Sequence, residues 1–288
     1  MSESRRFVLI GHPVSHSISP ELHRAAYRAL SLPHVYEKVD CPDETAVEQT
    51  IDALRRGEIG GINVTVPWKR LALGAADRQD ELARQIGAAN VLVREANGAI
   101  AAYNTDALAL ASELAAVVPA PRAVAIIGNG GAARAAVAAG RKLGAERVSV
   151  VGRRWSESVA ADFSALGATA IDWPASGHLS EFQASEIVIQ ASSAGMLGAD
   201  PGEVVASIVP WTELPAGALA YDVVYNPPLT PFLAAAAAHG VRALGGLGML
   251  VGQAAHSIEL WLGGVAPRAA MDHAAHQALE RRNAPSHE

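Results

Sequence analysis

The chain has 288 residues, of which 50% are hydrophobic and 18% charged, so it holds enough apolar material for about two packed domains and too little charge for extended disorder, the tail after Arg281 excepted. With a net charge of -6 and a pI near 5.9, nothing suggests nucleic acid or an anionic membrane surface as a partner, and neither is expected. The single cysteine, Cys41, excludes an internal disulfide and suits a reducing, cytoplasmic setting; the four-residue apolar run near the start is too short for the core of a signal peptide, and no apolar run reaches a membrane span.

Residues 7–10 form a short apolar run that reads as a strand, followed by the polar loop Gly11-His-Pro-Val-Ser-His-Ser-Ile-Ser19. Ser19-Pro20-Glu21 has the form of a helix start, with serine as N-cap and proline at the first helical position. Residues 35–39 read as a second strand and 45–56 as a second helix. In Gly61-Ile-Asn-Val-Thr-Val-Pro-Trp-Lys69, Ile62, Val64 and Val66 alternate with Gly61, Asn63 and Thr65, the pattern of a half-buried strand. Pro67 suits the first position of the helix that follows. Asn63, Thr65 and Lys69 are thereby expected at the carboxyl end of one strand, where open α/β sheets bind ligands. A lysine in a first helical turn faces the positive end of the dipole, a local cost of roughly 0.3–1 kcal/mol. Residues that break a local rule are often functional; the plain alternative is a solvated lysine. Asn97-Gly98, between apolar stretches 89–94 and 99–103, signals a hairpin, so one antiparallel pair is expected beside parallel strands. Asn104-Thr105-Asp106 then opens a long helix.

Pro119-Ala-Pro121 marks the start of a second unit. Residues 123–127 are a continuous apolar run of the buried parallel kind, followed by Gly128-Asn-Gly-Gly-Ala-Ala133 and a helix through 143. Further strands are expected at 148–151, 169–171, 186–190, 219–224 and 241–244, and helices at 249–262 and 268–281. The alternation predicts an α/β fold with mostly parallel sheets. Gly128, Gly130 and Ala133 fit the dinucleotide pattern: a tight turn, close approach of backbone to pyrophosphate, and helix packed on strand. NAD binding would call for a carboxylate about 20 residues on. Gly152-Arg153-Arg154 stands there instead, and a guanidinium suits the 2′-phosphate of NADP, with Ser156 and Ser158 as secondary donors. His12, His16 and His23 have no cysteine or carboxylate partner nearby and read as structural, so no metal is expected.

Together these stretches resemble the shikimate dehydrogenase family. The resemblance rests on Gly11 to Pro20, Asn63 to Lys69, Gly87-Ala-Ala-Asn90, Asn104-Thr-Asp106, the glycine loop, Ala191-Ser-Ser-Ala-Gly-Met196, Asp222-Val-Val-Tyr-Asn-Pro227 and Gly246-Leu-Gly-Met-Leu-Val-Gly-Gln253. It implies NADPH-dependent reduction of 3-dehydroshikimate to shikimate, in the chorismate route to aromatic amino acids. It implies a substrate domain, 1–106 with returning helices 247–288, and an inserted Rossmann-type NADP domain, 107–246. Ser17 and Ser19, with Tyr225, would bind the substrate carboxylate. Thr65, Asn90, Lys69, Asp106 and Gln253 would surround the ring hydroxyls, Lys69 and Asp106 being the acid–base pair. Gly128, Asn129, Gly130, Gly131, Ala132, Gly152, Arg153 and Arg154 would hold the cofactor, with Gly246 and Met249 by the nicotinamide and Glu81 near the cofactor end of the cleft. A homodimer is compatible with the resemblance.

The residue types suit the chemistry on their own. Hydride transfer to a ketone creates an alkoxide, which a lysine oriented by a carboxylate can protonate. Hydroxyls and amides recognise a polyol. Each residue also has a plainer reading: Ser19 and Asp106 as helix caps, Asn90 as a strand end, Gln253 as helix surface, Tyr225 as turn packing. Ala107, Val91, Gln190 and the Gly152-Arg153-Arg154 turn depart from the family's usual residues. Quinate/shikimate or aminoshikimate dehydrogenase is the alternative enzyme, and a sensor of the same metabolites the non-enzyme alternative.

Overall fold

Alternating strands and helices build two separate six-stranded sheets in the computed structural model, which describes residues 3–173 and 178–283. The chain divides into one unit formed by Met1–Asp106 with Leu250–Glu288 and another formed by Ala107–Met249. Residues 247–249, expected with the returning helices, fall in the second unit because Met249 is packed into its core.

The first unit runs β1 (Arg6–Gly11), α1 (Ser19–Ala29), β2 (Val35–Asp40), α2 (Glu44–Arg55), β3 (Gly61–Val64), α3 (Lys69–Gly74), β4 (Arg78–Gln79), α4 (Glu81–Ile86), β5 (Val91–Arg94) and β6 (Ile100–Tyr103). The strand order is β2-β1-β3-β5-β6-β4. β5 alone runs against its neighbours, pairing antiparallel with both β3 and β6. The turn of this hairpin is made by Asn97, whose side chain accepts from Ala99 N, and by Gly98 at φ 87°.

Three local expectations are corrected. β3 is buried along its whole length rather than on one face. One side packs into the core with Val8, Ile10 and Leu92; on the other, Trp261 lies so close that a Cβ on Gly61 would come within 2.3 Å of its indole nitrogen. Pro67 does not open a helix: Trp68 is the N-cap and Lys69 the first helical residue. Ser19 is not an N-cap either; Ile18 holds that position, with no side-chain cap bond, and Ser19 begins α1. The short α4 was not expected, although Asp80, capping Leu82 N, and Gly87 in the left-handed region at φ 72° mark both its ends.

The second unit begins with α5 (Asp106–Ala115), which starts at the last residue of the first. It continues through β7 (Ala123–Ile127), α6 (Gly131–Lys142), β8 (Arg147–Gly152), α7 (Glu157–Ala165), β9 (Thr169–Asp172), α8 (His178–Gln183), β10 (Ile187–Gln190), α9 (Glu203–Ser207), β11 (Leu219–Asp222), α10 (Pro231–Ala238) and β12 (Arg242–Gly245). All strands are parallel in the order β12-β11-β10-β7-β8-β9, the doubly wound arrangement whose direction reverses between β7 and β10. Two apolar layers, one with Phe163 and Tyr221 and the other with Phe182, Trp211 and Phe232, cover the sheet. α11 (Leu247–Leu262) and α12 (Arg268–Asn283) complete the described chain. α11 starts two residues before the expected 249. The stretch expected to be disordered is helical to Asn283, and residues 284–288 lie outside the described residues. Among the described residues no helix is long and apolar enough to cross a membrane.

Candidate active site

The reversed β5 decides which residues meet in the first unit. β1, β3 and β6 end at one sheet edge, and β5, running the other way, begins there. Asn90, the residue before β5, is therefore joined by backbone bonds to both neighbours, Val64 N donating to its carbonyl and its own N–H to Tyr103 O. Lys69 at the start of α3 and Asp106 at the start of α5 arrive at the same edge.

Lys69 Nζ lies 2.6 Å from Asp106 Oδ2, with side chains 23% and 11% exposed, so the pair is sheltered yet open to a small molecule. Asn90 Nδ2 donates to the other oxygen, Oδ1, at 2.8 Å and to Thr105 Oγ1 at 2.9 Å. The Asn90 amide cannot be turned round, because its Oδ1 accepts from Thr105 N. Asp106 is thus no mere cap. Its side chain is spent on Lys69 and Asn90, and Asn104 makes the local turn by accepting from Asp106 N.

Gln253, half-buried on α11, places Oε1 3.5 Å from Asn90 Nδ2, while its own Nε2 donates to Leu250 O. Thr65 is half-buried against Gly11, where an added Cβ would sit 2.4 Å from its methyl group. Ser17 and Ser19 are hydrogen-bonded to each other, Ser17 Oγ donating to Ser19 Oγ at 3.0 Å and accepting from Ser19 N at 3.2 Å.

A supporting layer went unrecognised in the sequence. Tyr36 OH donates to Asn63 Oδ1 at 2.7 Å, and Asn63 Nδ2 donates to Ser257 Oγ at 2.8 Å. Ser257 Oγ and Thr105 Oγ1 both donate to the Gln253 carbonyl. Tyr36 in turn stacks on His23 at 3.8 Å, a buried ring whose pKa burial lowers to about 3, so it stays neutral. The available signal was Asn63, a polar residue in a run that proves to have no outward face.

In the second unit Gly128 sits at φ 109°, where a Cβ would crowd Ser192 N, 3.1 Å away on the loop after β10. Gly130, the N-cap of α6, and Gly131 face open space within 4 Å of a notional Cβ. That is the bare backbone cradle a pyrophosphate needs at a helix N-terminus. Asn129 Nδ2 donates to Arg153 O, linking this loop to the turn after β8. The Arg153 guanidinium lies over the Trp173 ring at 5.1 Å, and Arg154 holds a left-handed backbone at φ 58°, unusual for a non-glycine residue. Ser156 caps α7 and lies 3.1 Å from Ser158.

Tyr225 is half-buried on the loop after β11. That loop is anchored by buried Asp222, which accepts from Val224 N at 2.9 Å and Thr230 Oγ1 at 2.6 Å. Gly246 admits no side chain, since a Cβ would lie 2.2 Å from Val223 O. A Cβ on Gly248 would meet only the end of the flexible Glu113 side chain, which can move aside, and Met249 is buried. Glu81 is exposed and accepts from Gln85 Nε2, so nothing in its own unit draws it into the Lys69 cluster.

A glycine-looped, doubly wound nucleotide unit, together with an α/β unit that carries a sheltered lysine–carboxylate pair, defines a nicotinamide-dependent oxidoreductase. Comparison with known proteins narrows the class. Residues 9–92 match the model of the shikimate dehydrogenase substrate binding domain, and residues 246–276 that of the shikimate 5′-dehydrogenase C-terminal domain. A shikimate dehydrogenase (NADP+) from Citrifermentans bemidjiense is 36% identical over 92% of this chain and 92% of its own. The solved shikimate 5-dehydrogenase from Thermus thermophilus, in complex with NADP(H) and shikimate, superposes with a TM-score of 0.82 at 33% identity, covering 96% of this chain and 100% of that one. A 5-ketofructose reductase of Gluconobacter is also similar, with a TM-score of 0.83 at 29% identity, covering 96% and 99%. The chain belongs to the shikimate dehydrogenase family and is an NADP-dependent oxidoreductase.

Proposed function

We propose that the chain reduces 3-dehydroshikimate to shikimate with NADPH and that Lys69 and Asp106 move the proton. The observation that carries this reading is the 2.6 Å contact between Lys69 Nζ and Asp106 Oδ2, locked from behind by Asn90. NADPH, when bound, supplies the hydride. Lys69 donates a proton to the oxygen that becomes alkoxide, and Asp106 keeps the ammonium aimed and stabilises its charge. Asn90 prevents Asp106 from rotating away. Thr65 and Gln253 add donors and acceptors for the ring hydroxyls, and Ser17 and Ser19 bind the carboxylate.

The open faces of Gly130 and Gly131 and the exposed Arg153 and Arg154 support binding of NADP through pyrophosphate and 2′-phosphate. Gly128, Asn129, Ala132 and Gly152 shape that cradle, and Gly246 and Met249 would line the place of the nicotinamide when the cofactor is bound. We place the reaction in the cytoplasm, where a lone, buried Cys41 stays reduced. A sensor of the same fold needs no proton relay, so the paired state of Lys69 and Asp106 favours an enzyme.

The test is NADPH oxidation followed by absorbance with 3-dehydroshikimate, and NADP reduction with shikimate, quinate and aminoshikimate. The reading expects the highest kcat/KM with the shikimate couple; a higher value with quinate or aminoshikimate moves the assignment to that relative, and no turnover of any of them refutes it.

A further inference from the structure

The loop carrying Ser17 and Ser19 is held by two cations from other parts of its unit. Lys38 on β2 donates from Nζ to Ser15 O at 2.6 Å and to Ser17 O at 3.3 Å. Arg282, in the last turn of α12, donates from Nη1 to His16 O and from Nη2 to Ser17 O at 3.1 Å. Three consecutive carbonyls, of Ser15, His16 and Ser17, thus accept from a positive charge, and that of Ser17 accepts from two.

Their contacts run to carbonyls rather than acids, and among the described residues neither cation stands in an ion pair. Asp40, at the end of the strand that bears Lys38, is engaged with His12 Nδ1 at 2.9 Å. Both cations are exposed, and exposed contacts of this kind add little to stability. A row of unpaired carbonyls would repel an arriving carboxylate. Cations seated on them offset that repulsion, in a chain whose net charge is -6.

We propose that Lys38 and Arg282 are positioning and specificity-determining residues: they fix the serine loop and supply the field that favours an anionic, carboxylate-bearing substrate over a neutral ketone. The inference rests on the proposed function, in which Ser17 and Ser19 receive the carboxylate. Neither cation touches the reacting oxygen, so the effect belongs to substrate capture and not to the chemical step.

The experiment measures kcat, KM for shikimate and KM for NADP on wild type, Lys38→Met, Lys38→Arg and Arg282→Ala, at low and high sodium chloride. Lys38→Met and Arg282→Ala are each expected to raise KM for shikimate about tenfold at low salt, with kcat and KM for NADP within about twofold of wild type. The wild-type KM should rise with salt and the variants' KM less steeply, because screening acts on a charge they lack. Lys38→Arg should restore most of the loss. An unchanged KM, or one raised by the same factor at low and high salt, would overturn the proposal. If Lys38→Met does not fold, Arg282→Ala carries the same expectation from the chain's last described turn. A wild-type enzyme that neither binds nor oxidises shikimate refutes the functional reading itself, and this is seen before any variant is compared.

Discussion

Asp106 meets Lys69 with one carboxylate oxygen and Asn90 with the other, at 2.6 Å and 2.8 Å, and the Asn90 amide is pinned by the backbone N–H of Thr105. The carboxylate therefore has one available orientation. Asn90→Ala removes the pin and leaves the buried Thr105 N–H unsatisfied. It should lower kcat by about tenfold and cost roughly 1–3 kcal/mol of stability. Steady-state kinetics paired with a denaturant melt checks both; a full kcat would show that the lysine orients Asp106 unaided.

Ser17→Ala and Ser19→Ala should act on substrate binding. Each would delete the proposed hydrogen bond to the substrate carboxylate, so KM for shikimate should rise by a factor corresponding to about 1.5–3 kcal/mol, with kcat less affected. Because Ser19 makes no cap bond, its loss should not carry the ~1 kcal/mol typical of a deleted N-cap. Thermal melts distinguish the outcomes, and a stability loss with an unchanged KM would remove Ser19 from the substrate site.

Arg153 is braced on the Trp173 ring, which keeps its guanidinium ordered before any ligand arrives. Arg153→Ala should raise KM for NADP by about ten- to a hundredfold and leave the weaker NAD reaction nearly unchanged. Trp173→Leu should reproduce part of that loss. Comparing kcat/KM for both cofactors tests it; a loss confined to Arg154→Ala would transfer the role to its neighbour.

Asp222 provides a pH signature. Burial pushes its carboxyl up to about 6 from an ordinary 3.8, against the opposing hydrogen bonds from Thr230 and Val224. The folded state therefore keeps a proton that the unfolded chain releases between about pH 4 and 6. The group's contribution to stability is greatest at the acidic end, falls as pH rises through that window, and is a constant cost above it. Asp222→Asn, which retains the shape and most of the bonds, should gain stability relative to wild type as pH is raised from about 4 to 6. Chemical denaturation of both proteins across this range is the check, and a pH-independent difference would show that Asp222 is already ionised at low pH.

Much of this was legible in the chain because the signals were local. The apolar run before Gly128, the glycine spacing and the two arginines after β8 carried the nucleotide unit, and Lys69 announced itself by breaking a helix rule. What escaped needed long-range knowledge. Nothing near residue 61 says that Trp261, on a helix at the far end of the chain, will cover the second face of β3 and bury Asn63. Ser19 looks like a cap by residue type, but the backbone turns one residue earlier and leaves its hydroxyl for Ser17. Pro67 looked like a helix start for the same reason, and Trp68 intervenes. That β5 runs backward was suggested by Asn97-Gly98, but its consequence, bringing Asn90 to Asp106, appears only once the sheet order is known.

A double-mutant cycle in kcat across Lys69 and Asp106 tests the proposed proton-transfer pair most directly. Lys69→Ala alone should reduce kcat by roughly 10²–10⁴-fold. Asp106→Ala should cost a comparable factor. The double variant should fall well short of the product of the two, as expected of residues proposed to act as one proton-transfer unit. A Lys69→Ala enzyme within about twofold of the wild-type kcat, or single losses that multiply fully in the double variant, would contradict the assignment.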